Sequence, residues 1–166
     1  MGSFITEKHP LDRTDWLSDR DYRSRTAYAN FKHAVQLFGF ELARRPKQCG
    51  HSTRSVVVHP GAAIDALTHD RPGIHQRSAL TRAAAAVVGP PFSRIVADKQ
   101  DAARSAVLAV SAHDLPPLAY MGPERRETGR PRAVPAPAVS LDPELGAFVW
   151  DETERLLGAP VFTTPC

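Results

Sequence analysis

Residues 21–61 read DYRSRTAYANFKHAVQLFGFELARRPKQCGHSTRSVVVHPG, and the reading of this stretch decides the fold. From about Asp21 to Arg45 the apolar residues Ala27, Phe31, Ala34, Val35, Phe38 and Leu42 recur at three- and four-residue steps. That period predicts one long helix with a single buried stripe, ended by Pro46 and Gly50. Ser55-Val56-Val57-Val58 then forms a short β-branched run closed by Pro60-Gly61. Such a run predicts an interior parallel strand covered on both faces. A helix feeding a parallel strand predicts α/β architecture.

Upstream, the first twenty residues are polar and without period, which predicts a loop. Downstream, residues 62–95 mix Pro, Gly and polar positions around an alanine-rich, helix-forming run at Ser78–Val88, and this region suits a lid over a substrate. Lys99–Ala112 places Ala103, Ala106, Val107 and Val110 on one face of a further amphipathic helix. A strand candidate follows at Leu118–Met121. Residues 122–140 shift to Arg, Glu and Pro, too polar to bury much surface, and predict an exposed connector. A closing helix is expected over 141–158, opened by Asp142-Pro143 as N-cap and first helical residue, with residues 159–166 as a tail.

The 166 residues suit one medium domain, and 42% hydrophobic with 23% charged residues is an ordinary globular balance. No apolar run approaches the roughly 20 residues of a spanning helix. The opening decapeptide lacks a basic stretch followed by an apolar core, so the protein is expected in the cytoplasm. Cys49 and Cys166 cannot build a disulfide framework, and the 7 histidines show no i, i+4 or His-x-His pairing that would hold a metal. The net charge is +3, and lysine occurs only at 8, 32, 47 and 99. An arginine-dominated base content fits phosphate binding and a G+C-rich genome equally, and abundant Ala and Pro favour the genome. Arg125, Arg126, Arg130 and Arg132 lack interleaved aromatics and include Glu124 and Glu127, which argues against a nucleic-acid surface.

Tyr28 and Lys32 stand at i and i+4, hence on one side of the long helix and within reach of a common ligand. Taken alone the spacing is weak, since an exposed Tyr beside a solvated Lys is commonplace. The surrounding residues carry more. Tyr28-Ala29-Asn30-Phe31-Lys32, then Phe40-Glu41-Leu42-Ala43-Arg44-Arg45, then Val57-Val58-His59-Pro60-Gly61 resemble the short-chain dehydrogenases/reductases, specifically the retinol-dehydrogenase-like and protochlorophyllide-reductase-like branch. Tyr120-Met121-Gly122-Pro123 and Phe148–Gly158 are similar to that branch's last strand and closing helix.

This resemblance implies the C-terminal portion of a doubly wound Rossmann-type parallel sheet, incomplete and helix-rich, and an oxidoreductase dependent on NAD or NADP acting on an alcohol or ketone. It implies Tyr28 as general acid/base, Lys32 as the charge beside it and the holder of the nicotinamide ribose, and Ser3 as the hydrogen-bond partner of the substrate oxygen. A free phenol titrates near 10, and a neighbouring ammonium favours the phenolate, so the pairing suits proton transfer near neutral pH. The backbone at Pro60 and Gly61 would border the nicotinamide. Ile64, Leu67, Ile74, Leu80 and Val87 suit an apolar substrate.

Two departures from the family pattern stand out. Ala62-Ala63-Ile64-Asp65 follows Pro-Gly where relatives commonly place a threonine, the nearest here being Thr68. The 10 glycines contain no Gly-x-Gly-x-x-Gly, so the turn that binds the pyrophosphate, the residues that choose NAD or NADP and the family's asparagine are not in this sequence. A truncated form is expected on this ground, its Val56–Val58 strand short of partners and the chain prone to pair as a homo-oligomer or with an intact homologue. The competing expectation is a non-catalytic remnant acting as an interaction module.

Overall fold

The computed structural model describes residues 1–48, 53–61 and 99–162. Among these residues, three helices and three short strands make up the frame: α1 (Ser24–Gln48), β1 (Val57–Val58), α2 (Lys99–Ser111), β2 (Tyr120–Pro123), β3 (Pro131–Ala133) and α3 (Pro143–Leu157). Short 3-10 turns at Phe4–Glu7 and Ala138–Leu141 complete it. The sheet runs β1-β2-β3. β1 pairs parallel to β2 with Val57 opposite Tyr120, and β2 pairs antiparallel to β3 with Met121 opposite Ala133. The expected 62–95 lid, the Ser78–Val88 helix, Cys49 and Cys166 lie outside the described residues.

Side-chain alternation along β2 divides the core. Tyr120 joins Phe40 and Val57 on the face covered by α1, while Met121 joins Ala109 and Ala119 on the face covered by α2. A thin, partly parallel sheet between helices is the expected α/β layering, and it fits an incomplete Rossmann-like fold. No helix among the described residues is long and apolar enough to cross a membrane.

The helices stand where the periodicity puts them, but on two of them the predicted stripe is not the most buried face. On α1 the buried residues are Ala29, Asn30, His33, Gln36, Leu37, Phe40, Glu41 and Ala43, whereas Phe31 of the predicted stripe is 58% exposed. On α2 the predicted face points outward, with Val107 64% and Val110 85% exposed, and Ser105 and Ala109 are buried instead. The inward face of α1 tolerates its polar residues because each is hydrogen-bonded. Asn30, for example, accepts from the Asp12 N–H (3.3 Å) and donates to the Asp15 carbonyl (3.2 Å) and the Ser18 hydroxyl (3.3 Å), pinning the N-terminal loop. The helix also continues past Pro46 to Gln48, since a proline in the final turn removes only one intrahelical bond.

α3 packs along α1. Phe38 stacks on Trp150 with centroids 5.0 Å apart, and the Arg45 guanidinium covers the same indole at 4.4 Å. Glu41, buried against α3, binds Arg44 at 3.0 Å and Arg45 at 2.9 Å, and Arg44 also donates to the Leu141 carbonyl (2.6 Å). Asp142 caps α3 by accepting from the Glu144 and Leu145 amides at 2.8 and 3.1 Å, and Gly158 closes it in the left-handed region at φ 65°.

The polar stretch after β2 is not wholly a connector. Pro131–Ala133 returns as β3, because the chain turns at 124–130 and hands its amides back to β2: Val134 donates to the Tyr120 carbonyl at 2.8 Å. The edge of β1 likewise has a partner the sequence did not announce. The Gly2 amide donates to the Val58 carbonyl at 2.6 Å, laying the first residues alongside β1 on the side away from β2. The strand expected to be short of partners is paired along β2 and at this one outer carbonyl.

Candidate active site

The start of α1, the first residues of the chain and the turn after β1 meet at one end of the sheet. Lys32 joins them: its ammonium donates to the Met1 carbonyl at 3.2 Å and lies 5.5 Å from the centre of the Tyr28 ring. Partial burial holds the Lys32 ammonium below the ordinary lysine range. Tyr28 is 47% exposed, and its hydroxyl has no hydrogen-bond partner among the described residues. Ser3 caps the turn that follows it, its hydroxyl accepting from the Ile5 amide at 3.4 Å.

Gln36, one turn beyond Lys32, was not singled out from sequence. Its carboxamide is fully buried and uses all four of its hydrogen-bonding positions. The oxygen accepts from the Ser3 amide (3.1 Å) and the Tyr120 hydroxyl (3.0 Å), and the nitrogen donates to Thr6 (2.8 Å) and Ser140 (3.1 Å). Ser3 is therefore positioned through its backbone by the helix that carries Tyr28 and Lys32. The legible signal was a lone amide inside the run Val35-Gln36-Leu37. Tyr120, desolvated there, is pushed well above the usual phenol range.

After β1 the backbone turns through Pro60 to Gly61 at φ 76°. Glycine is required: a Cβ at Gly61 would lie 2.3 Å from the Glu127 carbonyl. The His59 ring stacks on Tyr120, and its Nδ1 accepts from the Gly61 amide at 3.3 Å. Desolvation, followed by the nearby Arg126 charge, keeps this imidazole neutral by lowering its pKa. The residues expected to act together are thus joined in two groups, Tyr28, Lys32 and Ser3 through α1, and Pro60 and Gly61 through the turn after β1. The Gly2–Val58 bond links the groups.

No protein-family model matches the chain. Human retinol dehydrogenase 13 is 29% identical to it over 148 residues, covering 89% of this chain and 41% of the relative. The crystal structure of an uncharacterized protein from Mycobacterium paratuberculosis superposes with a TM-score of 0.66 at 23% identity, covering 96% of this chain and 49% of that one. The solved structure shows the fold. The similarity to retinol dehydrogenase 13 supports a relationship to the short-chain dehydrogenases/reductases. The chain spans less than half the length of both proteins.

Proposed function

We propose that this chain carries the catalytic portion of an NAD- or NADP-dependent short-chain dehydrogenase/reductase acting on the hydroxyl or carbonyl of a small, largely apolar molecule. The observation that carries the reading is Lys32, held against Tyr28 and tied to the segment bearing Ser3, in a chain similar along most of its length to retinol dehydrogenase 13. When bound, the nicotinamide supplies hydride exchange with the substrate carbon.

The chain's own residues have complementary tasks. Tyr28 passes a proton to or from the substrate oxygen, with its exposed hydroxyl free to approach that atom. Lys32 has three donors and spends one on Met1, so two are available for ribose hydroxyls, and the donor set fits the cofactor. Its positive charge stabilises negative charge developing on the phenol. Ser3 orients the substrate oxygen, and the Pro60-Gly61 backbone borders the nicotinamide ring. In the active protein, Tyr28→Phe is expected to abolish turnover of an alcohol and ketone panel while leaving cofactor binding intact. Retained turnover removes Tyr28 from this role.

A second reading is an interaction module that pairs with an intact homologue. The outward apolar faces at Val107, Val110 and Phe31 favour it, because such patches commonly mark contact surfaces. Native mass spectrometry of the chain mixed with an intact relative distinguishes the readings: a heteromer without turnover favours the module.

A further inference from the structure

The hairpin joining β2 to β3 makes two contacts that neither folding of the hairpin nor the proton chemistry above requires. Its tip rests the Glu127 carbonyl against Gly61, and Arg126 reaches across to form an ion pair with Glu7, four residues beyond Ser3. Arg126 also lies over the Phe4 ring, 5.6 Å from its centre. Its backbone sits in the left-handed region at φ 68°, a conformation that non-glycine residues adopt at some cost. Between these segments lies a cavity of about 220 Å³ bounded by Phe4, Glu7, His59, Tyr120, Arg126 and Val134. It opens beyond the C-terminal end of β1, where open parallel sheets bind ligands.

The charges around this cavity are unequal in availability. His59 is neutral there, and the carboxylate of Glu124, also on the wall, is engaged by Arg132 at 3.2 Å. Arg126 is the one cation on the wall among the described residues. Its partner Glu7 is 39% exposed and Arg126 itself 50%, and such a pair contributes little to stability, so another carboxylate can replace Glu7 at small cost. The rest of the wall is aromatic, prolyl and aliphatic. A cavity smaller than those of drug-sized ligands selects a compact molecule.

We propose that this cavity binds the carboxylate end of a small apolar acid, with Arg126 releasing Glu7 and gripping the ligand through its planar fork. Where the oxidoreductase reading holds, this deepens it: the substrate is an oxo- or hydroxy-acid whose carboxylate is read by Arg126. Glu7 is then an internal stand-in for the ligand anion.

Benzoate tests this without turnover. Titrated into the protein by calorimetry, benzoate is expected to bind saturably, with benzyl alcohol and benzylamine much weaker. Arg126→Gln should weaken benzoate at least about tenfold, the scale of one lost charge-assisted hydrogen bond, and Arg126→Lys should fall between. Glu7→Gln, by freeing Arg126, should tighten benzoate several-fold. Circular dichroism confirms that each variant is folded, and Glu7→Gln keeps the test decisive should Arg126→Gln misfold. Absence of benzoate binding, binding indifferent to both substitutions, or a preference for benzylamine overturns the proposal. Turnover of neutral alcohols with no benzoate binding would overturn it while leaving the oxidoreductase reading in place.

Discussion

The imidazole of His59 lies nearly flat against the phenol ring of Tyr120, centroids 4.9 Å apart and planes inclined by 23°, and Gly122 backs it from the next strand. A Cβ at Gly122 would come within 1.9 Å of His59 Nε2. The ring cannot retreat, because Tyr120 blocks one side and Nδ1 holds the Gly61 amide. Gly122→Ala is therefore expected to destabilise the protein by about 1–3 kcal/mol, an overpacking cost, measured by urea unfolding. An unchanged midpoint would mean that His59 rotates out of the stack freely.

Gln36→Leu removes four hydrogen bonds at one buried position and leaves the Ser3 amide and Tyr120 hydroxyl without their acceptor. A loss of about 2 kcal/mol or more is expected, since each stranded buried group costs on the order of 1–3 kcal/mol. Gln36→Glu keeps the acceptor and forfeits the donors to Thr6 and Ser140, so exchange of the Ser3 amide should stay slow in this variant and become fast in Gln36→Leu. Equal exchange in both would detach Ser3 from the Gln36 oxygen.

His33 is wholly buried and donates from Nε2 to the His9 carbonyl at 2.6 Å, while its Nδ1 has no partner among the described residues. Desolvation lowers its pKa in the folded protein below the ordinary value of 6.5. The unfolded chain then binds the proton more readily, and stability must fall as pH drops below about 6.5. His59, lowered for the same reason, adds to the effect. Asp12 and Asp15, lowered by hydrogen bonds from Thr14 and from the Asp21 amide respectively, lose their contribution only below about pH 4, so the two ranges separate. His33→Gln should flatten the thermal midpoint between pH 5 and 6.5. A profile identical to that of the parent would assign the dependence elsewhere.

Asp142 accepts two amides at the start of α3, and Asp142→Ala should cost about 1 kcal/mol, with Asp142→Ser restoring most of it. Thermal denaturation followed at 222 nm checks both. If the alanine variant melts with the parent, Pro143 alone starts the helix.

Much of this architecture could be read before any coordinates. The three-and-four spacing from Ala27 to Leu42 located α1, and Asp142-Pro143 and Gly158 marked the ends of α3, because caps and periodicity are written locally. The faces were another matter. Periodicity reveals that Phe31 and Val110 lie on apolar stripes, but burial depends on what covers a stripe, and α1 instead buries Asn30, His33 and Gln36, whose partners lie up to 104 residues away. β3 escaped notice because Pro131-Arg132-Ala133 has no strand-like composition and owes its extended form to pairing with β2. Within the candidate site, the nearness of Tyr28 and Lys32 was legible from their i, i+4 spacing, whereas Arg126 and Glu7 meet across 119 residues and left no local mark.

Gln36 also says something about the order of events during folding. Thr6 and Ser140 share one carboxamide, so the N-terminal turn cannot be secured until the segment just before α3 has docked. Contacts spanning so much chain close late, since the intervening loop must first lose its freedom. The serine position is accordingly expected to be among the last features to mature, remaining unformed in a nascent chain until its final helix has emerged and packed.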